Sequence, residues 1–560
     1  MFGFTVVVLK EQKHYTMHIG FHAKLEGKVW VKHSSNGVFE NQKHLTEENN
    51  ELIGFDGVLF NESAILSDYQ LSTNKQLVKA WSNNVIADSH VKGEFACFYI
   101  DSRGKLFVKA NPNGTKPWFY TETSDAVIVS NSLKEVTSLL KCFGEELTIN
   151  EKAAMELLSY GFLIGNKTTF ENVTKLRAGE QLRASSCGVD VLASSGHNSI
   201  EYNSKSLAEN AKTLSELLIE NIQDSYSYNK AYGYKQVATL SGGLDARLNV
   251  VLAKKLGFNI DETYSMGQSG HADILISEKI ADYLGAKQNN LLLDDAQHLK
   301  RLKENIVLNE GLVLYSGSAH LLAMLKSSTT TFGLIQSGQM GNVIGGGSVS
   351  QSVEIEPNLI GKAYNNKYSH LTDSWVKKEL KQWKNEEVAK INERVFNGVN
   401  NGSWISEAYG YYTSPFLQAN VIEFILSVPP SQKANYKLYM ELIASHFPAM
   451  KSWSWERTGL TPSGTWTLTY GKWRNRFLKV WQQKILGQSK KASMNPYEHW
   501  AKKHAWLNEF IVTQWEENKH LVENHEHVYQ VATEIMKTGS LLAKTQVLTL
   551  IAGLNYHLNE

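Results

Sequence analysis

The sequence predicts an α/β protein in two parts: a sandwich of antiparallel sheets with α+β character, then a helix-covered parallel sheet with a helical C-terminus. Three observations predict it. Up to about residue 135, short β-branched and aromatic runs alternate with turn signals. From Gln236 to Leu293, short apolar runs alternate with helical periodicity. From about residue 355 the pattern is helical and rich in Trp and Lys.

Taken in order, Phe4–Leu9 reads as a buried strand, since the apolar run is too short for a signal-peptide core and Lys10 follows it. Gly27–Lys32, Glu94–Ile100, Lys105–Lys109 and Ala126–Ser130 read as further strands, set between turn signals such as Ser34–Gly37 and Asn111–Gly114. A Ser- and Asn-rich stretch, Ala193–Ser199, marks a boundary between a domain at 1–195 and another at 205–560. In the second, Gln236–Leu240 is a short strand that runs into Ser241, Gly242 and Gly243. The helix after it has Leu248, Val251, Leu252 and Leu256 on one face, and Gly257 stops it. A strand around Thr263–Ser265, a helix with Ile276, Ile280 and Leu284 on one face, and a strand at Asn290–Leu293 complete a β-α-β-α-β alternation. That alternation implies a parallel sheet.

At 560 residues the chain is too long for one core. A net charge of +1 argues against nucleic-acid binding, because counterion release needs surplus Lys and Arg. Cys97, Cys142 and Cys187 are too scattered for a disulfide framework or a zinc site and fit a reducing compartment. No apolar stretch approaches the roughly 20 residues of a membrane span. A cytoplasmic protein is expected. Trp466, Trp473, Trp481, Trp500, Trp506 and Trp515 lie among lysines, and the neutral overall charge favours packing inside a helical domain over an RNA-binding face.

The residues richest in chemistry are Leu240-Ser241-Gly242-Gly243-Leu244-Asp245. A glycine pair between strand and helix lets a ligand approach the backbone, and the helix start offers N–H groups to an anion. Ser241 can donate to a phosphate and Asp245 can hold a phosphate-bound Mg²⁺. There is no Walker Gly-Lys-Ser/Thr element. A structural Gly-rich turn is the plainer alternative for this segment alone.

Leu240–Asp245 resembles the pyrophosphate loop (PP-loop) of the asparagine-synthetase-like family, which includes asparagine synthetase B, β-lactam synthetases and lasso-peptide cyclases. Further segments resemble family blocks in the same order: Phe55–Asn61, Lys92–Phe98 and Asn113–Tyr120; then Ser265–Gly267 with Asp273; Ser337–Asn342 with Gly345 and Gly346; Ser414–Leu417; and Arg457–Pro462, with Lys437 before it. The resemblance implies an N-terminal-nucleophile-type glutaminase domain and a C-terminal ATP-pyrophosphatase domain. The implied chemistry adenylates a carboxylate with ATP and Mg²⁺, releases pyrophosphate and lets an amine attack the acyl-adenylate. It implies that Ser241, Gly242 and Gly243 cradle pyrophosphate, that Asp245 binds Mg²⁺, and that Arg457, where the family has Lys, supplies positive charge. Leu240, Met266, Gly267, Ser337 and Gly338 would surround the nucleotide.

Four departures stand out. Glutamine-hydrolysing members carry a cysteine after the initiator Met; here that residue is Phe2, which cannot be a nucleophile. The N-terminal domain is therefore expected to be a degenerate remnant, a misassigned start codon being the plainer alternative. Asn342 occupies the place of a Mg²⁺-binding Asp, and an amide oxygen is the weaker ligand. Gln339 stands where synthetases have Glu and lactam-forming enzymes Tyr, and it cannot act as a base. Ala246 replaces a customary Ser. Tyr412, near an acidic position of the lactam branch, could handle a proton or could be a packed aromatic. Arg247 could contact phosphate or be a solvated helix arginine. The catalytic candidates are Gln339, Tyr412, Lys437 and Arg457, and the metal candidates are Asp245 and Asn342.

The expected function is an ATP-dependent amide-forming ligase whose amine does not come from its own glutamine hydrolysis. The acid and amine would belong to a small molecule, a peptide or a sugar acid. An ammonia-using synthetase and a catalytically silent pseudo-synthetase that binds nucleotide or a partner are the alternatives. A biosynthetic partner protein and a homodimer are both compatible with this reading.

Overall fold

The computed structural model describes residues 2–10, 20–24, 28–39, 44–194, 196–344, 346, 366–485 and 493–560. Gly27, Gly345, the stretch 355–365 and Ser195 of the linker, all named above, lie outside the described residues, as does the side chain of Trp481.

The N-terminal strands form two six-stranded sheets in which every pairing is antiparallel. Alternation along Gly3–Leu9 explains how they stack. Phe4, Val6 and Val8 face Phe98, Ile100, Leu106 and Val108 of the second sheet, while Val7 and Leu9 face away. Both outer faces are covered. Helix Asn74–Ser82 lays Leu77, Val78 and Trp81 on the second sheet. Helices Leu133–Cys142 and Glu151–Tyr160 cover the first. The result is a helix–sheet–sheet–helix sandwich, as expected.

The third sheet has five parallel strands in the spatial order Lys287–Leu292, Glu262–Gly267, Val237–Thr239, Leu334–Gln336, Tyr411–Thr413. Helix Leu244–Lys255 ends just before Gly257, as the sequence predicts, and helix Ala272–Leu284 ends on Gly285 in the left-handed conformation (φ 72°). Chain order reverses between Val237–Thr239 and Leu334–Gln336. Ligands of open α/β sheets bind at such a reversal, beyond the carboxyl ends of the strands, because the two following loops diverge there and leave a crevice.

Sequence alone assigns the C-terminal helices no location. Helix Leu541–Leu558 returns to the N-terminal sandwich, and its Val547, Ile551 and Leu554 join Leu139, Leu157 and Val7 in one core. Of the C-terminal tryptophans, Trp500 and Trp515 are buried and Trp506 is partly buried. Trp466 and Trp473 are 62% and 68% exposed, which corrects the expectation that this whole set packs inside. Among the described residues, no helix is long and apolar enough to cross a membrane.

Candidate functional site

The segment Ser241–Asp245 sits at the reversal point. Leu240 is buried, with its N–H donating to Tyr264 O (2.8 Å) and its carbonyl accepting from Ser265 Oγ (2.7 Å), so the strand end is clamped to its neighbour. Gly242 N–H donates to Asp273 Oδ1 (2.9 Å) and Gly243 N–H to Ser241 Oγ (3.2 Å). Gly243 caps the following helix without a side-chain hydrogen bond, which leaves the first-turn N–H groups uncapped by any side chain. Gly242 is required by packing: a Cβ there would lie 2.7 Å from Glu456 Cβ.

The loop after the fourth strand of the parallel sheet, Ser337–Asn342, packs directly on this segment. A Cβ at Gly338 would fall inside van der Waals contact of Ala246 N, and one at Gly341 would lie 2.5 Å from Asp245 Cγ. Two separate sequence segments are thus pressed into one site. Asn342 N–H faces the Asp245 carboxylate. Its amide oxygen, however, accepts from the Tyr436 hydroxyl, which in turn accepts from Arg457. The two metal candidates are brought side by side, with the Asn342 oxygen committed elsewhere.

Burial pushes the Asp245 carboxyl up to about 7; the Tyr439 hydroxyl and Arg457 oppose that rise and Glu456 adds to it. Glu456 is also raised, by burial and by Asp273. Three carboxylates therefore gather around one loop. Arg457 and the Tyr439 hydroxyl offset part of this charge, and Asp245 and Glu456 are the oxygen donors here of the kind a hard divalent cation takes.

Gln339 and Tyr412 line one cleft beside this loop. Gln339 donates from Nε2 to Asn400 Oδ1 (2.7 Å) and accepts at Oε1 from Ser403 Oγ (3.1 Å). Asn400 donates to Asn113 O (2.7 Å), which ties the cleft to the N-terminal sandwich. Tyr412 lies on the edge strand, and its hydroxyl is 3.1 Å from Thr239 Oγ1; burial raises it above the ordinary phenol range. Ser337 turns its hydroxyl into the sheet, toward Thr413 O (3.0 Å). Met266 and Gly267 end the neighbouring strand.

Two residues sit differently from what sequence suggested. Lys437 is exposed at its helix start and donates to Ser431 O (3.1 Å), so it is not brought to the loop; its neighbour Tyr436 is. Arg247 is neither a phosphate contact nor a solvated arginine. It is buried and donates to the carbonyls of Gly242, Met450, Trp453 and Ser454 at 2.7–3.3 Å, stapling the loop to the segment that carries Glu456 and Arg457. Sequence reasoning missed Tyr436 and Glu456, and the only signal for either was its position directly before a candidate cation.

The N-terminal sandwich offers no activated thiol among the described residues. Burial pushes Cys97 up to about 12, Cys142 is raised by burial as well, and Cys187 is exposed on the turn between Gln181–Ser185 and Gly188–Leu192. Where the sandwich meets the parallel sheet, buried Lys116 bridges Asp56 (3.2 Å) and Glu407 (3.1 Å). Against its own burial, Asp56 is held at about 2 by Lys116 and His33.

Residues 40–193 match the glutamine amidotransferase domain family. The N-terminal sandwich is of amidotransferase type. Among solved structures, the chain is similar to glutamine phosphoribosylpyrophosphate amidotransferase from B. subtilis complexed with ADP and GMP, at 13% identity, covering 52% of this chain and 85% of that one, with a TM-score of 0.22. It is also similar to the allosteric regulatory enzyme of purine biosynthesis, at 12% identity, covering 52% and 74% of the two chains, with a TM-score of 0.22. No curated protein matches the chain.

Proposed function

We propose that this protein is an ATP-dependent, amide-forming ligase of the asparagine-synthetase-like type, with Ser241–Asp245 as its PP-loop and an amine that does not come from its own glutamine hydrolysis. The observation that carries the reading is the contact of Ser241–Asp245 with Ser337–Asn342 at the point where the parallel sheet reverses its order. The resemblance of both segments to family blocks supports it from the sequence side.

In this reading the substrate carboxylate attacks the α-phosphorus of ATP, and the bond to the pyrophosphate breaks. The amine then attacks the acyl carbon, AMP departs, and the amine gives up a proton. The uncapped first-turn N–H groups of helix Leu244–Lys255 and the Arg457 guanidinium would bind the pyrophosphate. Asp245, with Glu456, would hold Mg²⁺, which supplies charge neutralisation of the polyphosphate. Gln339 is oriented by Asn400 at Nε2 and by Ser403 at Oε1, so it would position the acyl group; an amide does not accept a proton near neutral pH. The Tyr412 hydroxyl, on the wall of the cleft, could relay one.

One observation favours a second reading, a nucleotide-binding pseudo-synthetase: the Asn342 amide is held by Tyr436 and contributes no carboxylate. A screen of carboxylic acids for ATP–pyrophosphate exchange separates the two. Exchange with at least one acid, lost by about a hundredfold or more in Asp245→Ala, is the expected result for a ligase. Tight nucleotide binding without exchange across a broad screen would favour the pseudo-synthetase.

A further inference from the structure

A cleft of about 370 Å³ opens beside Gln339 and Tyr412. Its walls are mainly apolar, with Phe162 of the N-terminal sandwich on one side and Leu314 and Leu321 on another. Two polar groups in it have no explanation within the fold. Arg394 makes no hydrogen bond or ion pair among the described residues, although it lines the cleft and is partly buried. His320 also lines the cleft, and its Nδ1 is shielded from solvent with no hydrogen-bond partner among the described residues. Burial lowers His320 to about 4, so the imidazole is neutral near pH 7 and can donate or accept one bond.

The backbone around Arg394 is unusual too. Lys390–Val399 is a π-helix, in which Asn400 N–H reaches Val395 O, five residues back. Such wide turns are rare and concentrate at functional sites. Arg394, Gly398 and Val399 of this wider helix line the cleft, followed by Gly402 and Ser403 of the α-helical turn Asn400–Ser403. A Cβ at Gly402 would meet nothing closer than Ser318 Cβ at 4.0 Å, so the space above it is the cleft itself. Arg394 precedes Asn400, the residue that fixes Gln339, by six positions, which is at most about 9 Å along a helix axis.

We propose that this cleft binds the acyl substrate, and that Arg394 grips a second anionic group on it while the reacting carboxylate faces Gln339. The preferred substrate is then a diacid with an apolar spacer of several carbons, with the neutral His320 ring forming part of the cleft wall. A planar guanidinium with no protein partner matches a carboxylate bidentately. The apolar walls reject a charged spacer and favour a hydrocarbon one. This inference rests on the ligase reading for the word "acyl", and on the cleft alone for the binding of a diacid.

The test measures binding without ATP. Glutarate, adipate, suberate and sebacate, each with its matched monoacid, are titrated calorimetrically against wild-type protein, Arg394→Gln, Arg394→Lys and Gly402→Leu, with melting curves to confirm folding. At least one diacid should bind about tenfold or more tighter than its monoacid. Arg394→Gln should remove that preference, Arg394→Lys should keep part of it, and Gly402→Leu should weaken both acids. Equal binding of diacid and monoacid, unchanged binding in Arg394→Gln, or no saturable diacid binding to wild-type protein overturns the inference. ATP–pyrophosphate exchange is measured alongside. Diacid binding as described without exchange would count against the ligase reading and leave the cleft assignment standing. Exchange with an acid that is indifferent to Arg394→Gln and Gly402→Leu would do the reverse.

Discussion

The raised carboxyl of Asp245 makes the proposed PP-loop a store of instability that can be measured. In the folded protein this group titrates near 7, against an ordinary value of 3.8, with burial as the main cause. Between about pH 4 and pH 7 the folded carboxyl keeps a proton that the unfolded chain has already released. Stability therefore falls as pH rises through that window and stays low above it. At about 1.4 kcal/mol per tenfold change in proton affinity, the rise has a ceiling of about 4 kcal/mol. Asp245 is only partly shielded from solvent, and water screening reduces the expectation to about 2 kcal/mol. Asp245→Asn removes the charge and keeps the shape. It should melt about 2–4 °C above wild type at pH 8 and together with it near pH 4. Mg²⁺–ATP should raise the melting temperature of wild type much more than that of the variant, since the stabilisation follows ligand affinity. The assay is a thermal melt at both pH values, with and without nucleotide. A variant less stable than wild type at pH 8 would refute the reasoning, because the carboxylate would then be well solvated or firmly paired.

Four further predictions address the same architecture. Arg247→Met should cost about 3–5 kcal/mol in a denaturant titration, since it strips four carbonyls of their buried donor; a loss under about 1 kcal/mol would show that the staple is dispensable. Gly338→Ala should abolish nucleotide binding measured calorimetrically while leaving the N-terminal sandwich folded by near-UV circular dichroism, because the added Cβ collides with the Ala246 backbone; wild-type affinity would contradict the loop contact. Purified protein should release no glutamate from glutamine, given that burial raises both the Cys97 and the Cys142 thiol; release above a no-enzyme control would falsify the assignment of a degenerate domain. Asn342→Asp adds a charge beside Asp245 and Glu456, so Mg²⁺–ATP should bind about tenfold more weakly if the Tyr436 contact belongs to a working site; tighter binding would mark a decayed metal site instead.

The sequence by itself determined much of the local architecture and marked the loop proposed as the site. Period-two alternation in Phe4–Leu9 and helical spacing after Gly243 each arise within a few residues, and each element formed where its pattern lay. The glycine pair marked the loop, and at Gly242 only a residue without a Cβ lets Glu456 approach that closely. What the tertiary structure decided was which neighbour of each motif faces the site. Tyr436 precedes the helix that starts at Lys437 and holds a left-handed backbone (φ 62°), so it enters where Lys437 was expected. Arg247 looks like any helix arginine until Met450, Trp453 and Ser454, some two hundred positions away, present their carbonyls to it. The return of helix Leu541–Leu558 to the first sandwich, and the meeting of Arg394 and His320 in one cleft, depend in the same way on packing between distant segments. Local dihedral and hydrophobic preferences are written in consecutive residues, whereas these contacts are fixed by the sum of many weak long-range ones, which no short window of sequence contains.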